Sequence, residues 1–378
     1  MRNGAGRGIR HLYVHLPFCG HRCGYCDFVT LVGRRDQHGA YVDALLAELE
    51  LERGLLAPAL ETIFLGGGTP TLTEPASLER LLDRLPGAEE VTVEANPETV
   101  TPELAGLLRR SGVSRVSLGA QTFQPDLLRV LERRATPDDV RRAFYHLRDA
   151  SFDNISLDLL YGIPGQSTAQ LERDLDQALA LEPEHLSLYE LEAKPGTRFT
   201  YAHGVALSQQ EALMEGYFER VVERLQPAGY RWYETANFCR TGERVGGRDF
   251  RSRHNLAYWR GRDYLGLGMG AVSTVGGRRW RNTPRLNGYL QPLRQGIVPP
   301  RELELLEPRV QRQERLMLGL RLDEPLSLAE VGDVLDEGAL ERLAGGGLVE
   351  PSAGGSTLAL TTRGRFLGGG VTAELLAT

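Results

Sequence analysis

The sequence predicts an α/β fold: a barrel-like, largely parallel sheet wrapped by helices, followed by a smaller C-terminal unit. Three observations carry this. From residue 11 to about residue 226, short apolar runs alternate with longer amphipathic stretches, the pattern of strands joined by right-handed helical crossovers. The polar residues that stand out lie where apolar runs end, and in such folds the βα loops at strand ends hold the chemistry. Beyond Pro299 the pattern changes to short helical segments between Gly- and Pro-rich loops. A chain of 378 residues also exceeds the usual single-domain size, so one large domain plus a smaller one is expected.

Strands are expected near 11–16, 61–65, 90–94, 113–118, 153–159 and 185–191. Helices fit near 36–53, 75–84, 101–110, 124–149 (interrupted around Pro137), 167–181 and 208–226. Pro102 suits a first helical turn, where a missing amide hydrogen costs nothing. In the first strand, Tyr13 and His15 alternate with Leu12, Val14 and Leu16, and Pro17 ends the ladder. Six β/α units without internal repeats suggest a barrel. Residues 229–283 read as aromatic-rich short strands and loops, and 299–378 as three helices and a two-stranded wing.

Three of the four cysteines, Cys19, Cys23 and Cys26, fall in YVHLPFCGHRCGYCDF at residues 13–28, while Cys239 is far away. Structural zinc takes four closed ligands, generally as two separated pairs, which this spacing does not supply. Three thiolates on an iron–sulfur cube leave one iron open to bind a second molecule. Such a site needs reducing surroundings, and the chain has neither a signal-peptide run nor an apolar stretch long enough to span a bilayer, so a cytoplasmic location is expected. The net charge of −6 gives no electrostatic footprint for nucleic acid, although residues 240–285 hold eleven arginines against three acids. Lys194 is the one lysine, so a Schiff-base mechanism has a single, weakly motivated candidate.

HLPFCGHRCGYCDF resembles the cluster loop of radical S-adenosylmethionine (SAM) proteins, above all the HemW-type haem-chaperone branch of the oxygen-independent coproporphyrinogen III oxidase family. The resemblance runs over roughly residues 9–375. It implies a partial (β/α)6 TIM-like barrel over 9–228, an aromatic and arginine-rich extension over 229–298, and a winged-helix-like C-terminal domain over 299–378. It also implies that Cys19, Cys23 and Cys26 hold a [4Fe–4S] cluster whose fourth iron is chelated by SAM. GGGTPT, Gly66 to Thr71, resembles the segment that receives the methionine amino group. Tyr13, Tyr25, Gly67, Gly68, Thr69, Glu94, Gln121, Arg133 and Asp158 match positions that contact SAM. Independently, carboxylates ending apolar strands need polar partners, because an unpaired buried charge costs several kcal/mol.

His254 to Trp259 is an HNxxYW stretch, which the resemblance associates with tetrapyrroles. A histidine can ligate haem iron, aromatic rings can stack on a porphyrin and arginines can hold propionates, so His254, Asn255, Tyr258 and Trp259 are candidate haem residues. A cap-and-packing role for the same four residues remains an open alternative. Two functions follow: a haem chaperone that delivers haem to an acceptor protein, or a radical SAM enzyme of the coproporphyrinogen III oxidase type. Phe28 in place of a further cysteine, only ten residues before the first strand, and the HNxxYW stretch itself all favour the chaperone. Coproporphyrinogen III decarboxylation is not expected, and no residue is singled out as catalytic. The chain departs from the family pattern at Ala135, Met269 and Val272, where the family carries His, Pro and His. A membrane-associated acceptor and a homodimer are both compatible with the sequence.

Overall fold

Each predicted strand of the barrel forms, with its ends within three residues of the expected bounds. The computed structural model describes residues 8–194, 198–242 and 245–377. Its first six long strands are β1 (His11–Leu16), β2 (Leu60–Gly67), β3 (Ala88–Ala95), β4 (Arg115–Gln121), β5 (Ile155–Tyr161) and β6 (His185–Glu190). They pair in parallel and in sequence order. Outer helices α1 (His38–Glu52), α2 (Pro75–Arg84), α3 (Pro102–Arg110), α4 (Pro137–Asp149) and α5 (Thr168–Ala180) cross over between them. Their starts are chemically marked. Proline opens α2, α3 and α4, and Thr136 and Ser167 form reciprocal capping boxes at α4 and α5. Pro137 therefore begins a helix rather than kinking one; Pro125–Val130 is a separate short helix before it.

Two features of the main sheet were not in the local pattern. Strands β7 (Tyr230–Glu234) and β8 (Asn237–Arg240) add antiparallel at the β6 edge, and β9 (Leu265–Leu267) adds parallel to β1. The sheet order is β9-β1-β2-β3-β4-β5-β6-β8-β7, so β1 and β6 do not meet and the barrel stays open. The segment 229–298 thus supplies three strands to the main sheet. The helix expected over 208–226 is two: Arg198–Gln210 and, after a 3-10 turn, Met214–Leu225.

A second antiparallel sheet, Val272–Val275 with Arg278–Asn282 and Arg301–Leu305, is fastened to the barrel through one buried carboxylate. Glu48 of α1 accepts hydrogen bonds from Tyr289 Oη (2.6 Å), Asn282 Nδ2 (2.7 Å) and Gly268 N (2.9 Å). Arg301 bridges to Glu52 at 2.6 Å and approaches Glu48 at 3.5 Å. Glu48→Ala would orphan several buried donors at once and should destabilise the protein by about 3–5 kcal/mol. Urea unfolding measures it, and a cost below about 1 kcal/mol would show that these donors find water instead.

The C-terminal unit has its own core, including Leu316, Val331, Val334, Leu343, Leu358 and Leu375. Helices Pro308–Gly319, Glu337–Gly345 and Gly368–Leu375 pack with a three-stranded sheet in which Thr357–Leu360 lies between Leu326–Ser327 and Val349–Pro351. The helix expected over LSLAEVGDVL is two 3-10 turns, split near Gly332, which adopts a positive φ of 55°. Among the described residues, no helix is long and apolar enough to cross a membrane.

Candidate functional site at the open end of the barrel

The cysteine loop is a neck closed behind β1. Phe18–Cys19 pairs with Leu31–Val32, and Leu31 N donates to Pro17 O at 2.8 Å, so the residues between are presented as one loop. All three of its cysteines are half-buried. Side chains from the segments that follow β2, β3 and β4 reach towards it. Thr69 Oγ1 lies 3.6 Å from Cys19 Sγ, and Arg133 Nη1 lies 3.8 Å from Cys23 Sγ. Asn96 links the two, donating to Thr69 Oγ1 at 3.0 Å and accepting from Arg133 Nη2 at 3.0 Å. Arg133 Nη2 also donates to Gly119 O at 3.0 Å. Asn96 had no assigned role in the sequence reading. Its only signal there was its place, two residues after Glu94 and before a proline.

Among the described residues, no three His, Cys, Asp or Glu side chains converge on a single metal ion. A [4Fe–4S] cube does not ask for that, because each thiolate takes its own iron. The donor set fits the cube: three half-buried thiols on one loop, with a hydroxyl and a guanidinium in reach of two of their sulfurs. Burial pushes the Cys19 and Cys26 thiols up, so ligation by thiolate would release protons. Cys239 lies in β8, packed with Tyr233, Phe250, Leu256 and Leu322, and burial pushes its thiol up to about 12.

Below the loop, the lumen is polar. Gly67 has φ 108° and donates to Glu94 Oε2 at 3.1 Å; a Cβ here would stand 2.3 Å from the His15 ring, so only glycine fits. Burial, and then the neighbouring Asp158 carboxylate, raise Glu94 to about 7. Asp158 does not end its strand, since β5 runs on to Tyr161. Its carboxylate accepts from Ser117 Oγ at 2.8 Å and Ser156 Oγ at 3.2 Å. Gln121 holds the left-handed conformation at φ 65°, which non-glycine residues seldom adopt. Tyr13 Oη bonds His15 Nδ1 at 3.0 Å, and Tyr25 meets Phe199 edge-on at 6.2 Å. Gly67, Glu94 and Asp158 thus share the lumen, while Thr69 and Arg133 reach the cysteines.

The HNxxYW stretch folds as helix Arg253–Trp259, capped by Ser252. His254 is fully buried, and both its ring nitrogens are engaged: Nδ1 with Thr62 Oγ1 at 2.7 Å and Nε2 with Tyr258 Oη at 2.9 Å. Its backbone amide donates to Glu90, and its ring stacks on Phe64. Burial, and then nearby His11, pull it down to about 3. The expectation that His254 meets haem iron does not match this placement, since neither nitrogen is open. Asn255 N donates to the capping Ser252 Oγ at 3.3 Å, and Trp259 lies under the Arg321 guanidinium at 4.3 Å.

Tyr258 and Tyr264 meet edge to face at 4.6 Å and line two neighbouring cavities. One, of about 320 Å³, is bounded also by Tyr13, His15, Phe28 and Arg281 beside the cysteine loop. The other, of about 670 Å³, lies against helix Pro308–Gly319 and is bounded also by Trp259, Arg262, Arg312 and Leu318. Of the positions departing from the family pattern, Val272 lines the smaller cavity, whereas Ala135 and Met269 are buried. Much of the arginine excess over 240–285 is paired with acids, as in Arg240–Glu182, Arg248–Asp153, Arg260–Glu324 and Arg279–Glu314.

Comparison with known proteins agrees with this geometry. A family model described as the Radical SAM superfamily matches residues 13–178. A protein described as heme chaperone HemW from Mycobacterium tuberculosis H37Rv is 36% identical, covering 97% of this chain and 94% of the relative. HemW of Bacillus subtilis is 34% identical over 95% of this chain and 97% of its own. HemW of Escherichia coli is 38% identical over 74% of this chain and 75% of its own. Among solved structures, coproporphyrinogen III oxidase (HemN) of Escherichia coli, described as a radical SAM enzyme, superposes with a TM-score of 0.80 over 97% of this chain and 90% of that one. At 23% identity it speaks to the fold alone.

Proposed function

Because the chain belongs to the HemW haem chaperones of the radical SAM superfamily, we propose that it binds haem and passes it to an acceptor protein. The relation extends over nearly the whole chain, and that single observation carries the reading. The coproporphyrinogen oxidase alternative has only a likeness of fold behind it. Cys19, Cys23 and Cys26 would ligate a [4Fe–4S] cluster. Tyr13, Tyr25, Gly67, Gly68, Thr69, Glu94, Gln121, Arg133 and Asp158 would line the SAM site, with Arg133 suited to a carboxylate and Glu94 to hydroxyl or amino donors. When bound, cluster and SAM supply a redox centre at the open end of the barrel. Residues 9–228 form the barrel of this reading, 229–298 its haem-facing extension and 299–378 a lid or docking unit. The reading puts the protein in the cytoplasm, where thiols stay reduced, with a membrane-associated acceptor and a homodimer as compatible arrangements.

Anaerobic reconstitution followed by parallel titration with haem and SAM tests the proposal. Stoichiometric haem binding is expected, together with no protoporphyrinogen from coproporphyrinogen III above a protein-free control. Decarboxylation without haem binding would overturn it.

A further inference from the structure

We propose that the phenolic oxygen of Tyr258, rather than the imidazole of His254, binds the iron of the carried haem, with His254 as its positioning residue. This rests on the haem-carrying reading above and adds the ligand. The geometry makes the choice among the side chains near the two cavities. His254 spends both ring nitrogens on Thr62 and Tyr258. His15 likewise spends its own on Tyr13 Oη at 3.0 Å and Val29 O at 2.8 Å. Tyr13, like Tyr258, has one histidine partner, but His15 leads on only to the Val29 carbonyl, which takes no proton, whereas His254 leads on to Thr62 and His11; Tyr264 has no histidine partner among the described residues. Among the described residues, the Tyr258 hydroxyl has His254 alone as partner. A phenol oxygen with one such partner keeps a lone pair for a metal, and ferric haem accepts tyrosinate as an axial ligand.

Tyr258 also stands where a haem would have room. It borders both the 320 Å³ and the 670 Å³ cavity; the smaller is walled largely by aromatic and apolar residues such as Tyr13, Phe28, Val29 and Val272, and the larger offers Trp259, Leu306 and Leu318 among several charged side chains. Each cavity contributes one arginine that has no ion-pair partner among the described residues, Arg281 in the smaller and Arg262 in the larger. In whichever cavity the macrocycle lies, the free guanidinium there suits a propionate.

Binding must displace the phenol proton, and the structure has a path for it. Tyr258 Oη, His254, Thr62 Oγ1 and His11 Nδ1 form a chain with links of 2.9, 2.7 and 3.0 Å. His11 Nε2 lies 3.7 Å from Glu61, a half-exposed carboxylate. As the iron–oxygen bond forms, the O–H bond breaks and the labile water on the iron leaves, with the iron ferric throughout. The phenol proton moves to His254 Nε2, the Nδ1 proton to Thr62, and the Thr62 proton to His11 beside Glu61. The iron's charge provides the pull, since a bound cation favours the deprotonated ligand.

The test is a ferric haem titration of the full, cluster-reconstituted chain, read by resonance Raman and visible spectra, for the wild type, Tyr258→Phe, Tyr264→Phe and His254→Gln. Cluster absorbance and thermal midpoint verify that each variant is folded. The wild type should show iron–phenolate vibrations and a phenolate-to-iron charge-transfer band. Tyr258→Phe should lose both and bind haem about tenfold more weakly, while His254→Gln should keep the phenolate signature with shifted frequencies. An unchanged spectrum in Tyr258→Phe, or loss of the signature in Tyr264→Phe instead, overturns the ligand assignment and leaves the chaperone reading standing. A wild type that binds no haem overturns the chaperone reading itself.

Discussion

Alanine at Cys19, Cys23 or Cys26 should abolish the iron–sulfur absorbance of the reconstituted protein, whereas Cys239→Ala should keep it in full. The loss is expected to be all or nothing. Each thiolate of the loop would hold a separate iron, and removing one leaves two open irons that water can reach, because the loop is only half-buried. Cys239 stands apart in a packed cluster with Tyr233 and Leu322, with its thiol held protonated by burial. Its replacement deletes one small buried sulfur and should cost about 1 kcal/mol of stability. Iron and sulfide analysis beside the visible spectrum decides the matter. A full cluster in Cys23→Ala, or none in Cys239→Ala, would contradict the ligand set.

What the sequence made visible, and what it hid, divides along chain distance. The six parallel strands were legible because their apolar runs, their terminal prolines and the capping residues of the next helix lie within a few positions of one another. The cysteine loop stood out for the same reason, with three cysteines in one loop. Strand β9 was not: three residues in a glycine-rich stretch become a strand by pairing with β1, some 250 positions earlier in the chain. The role of His254 was hidden likewise, because one of its two partners, Thr62, is 192 residues away. Helical spacing did carry the other half, since His254 and Tyr258 are four residues apart on one helix. The arginine excess over 240–285 looked like an anion site because the acids that neutralise much of it, such as Glu182, Asp153, Glu324 and Glu314, lie outside the segment.

In the proposed SAM site, Glu94 would tie stability to function with opposite signs, and Glu94→Gln should separate them. Burial and the Asp158 charge raise the Glu94 carboxyl from an ordinary 4.5 to about 7, so the folded chain holds this proton more tightly than the unfolded one. For a raised acid, the stabilisation is fully present below pH 4.5 and is lost as pH rises through 7. At 1.36 kcal/mol for each unit, the ionised carboxylate costs the ligand-free fold at most about 3 kcal/mol at pH 8, and lumen water reduces that figure. Glutamine keeps the shape and an oxygen for the Gly67 amide, but carries no charge. Glu94→Gln should therefore be the more stable protein at pH 8, match the wild type near pH 4.5, and show a flatter pH dependence between. SAM affinity should fall, because a donor group of the ligand loses a charged acceptor, a contact worth about 1.5–3 kcal/mol. Urea midpoints at both pH values, together with calorimetric SAM titration of the reconstituted protein, measure the two effects. Parallel pH slopes in wild type and variant would mean that Glu94 stays ionised without cost, and the lumen would then be far more polar than its burial implies.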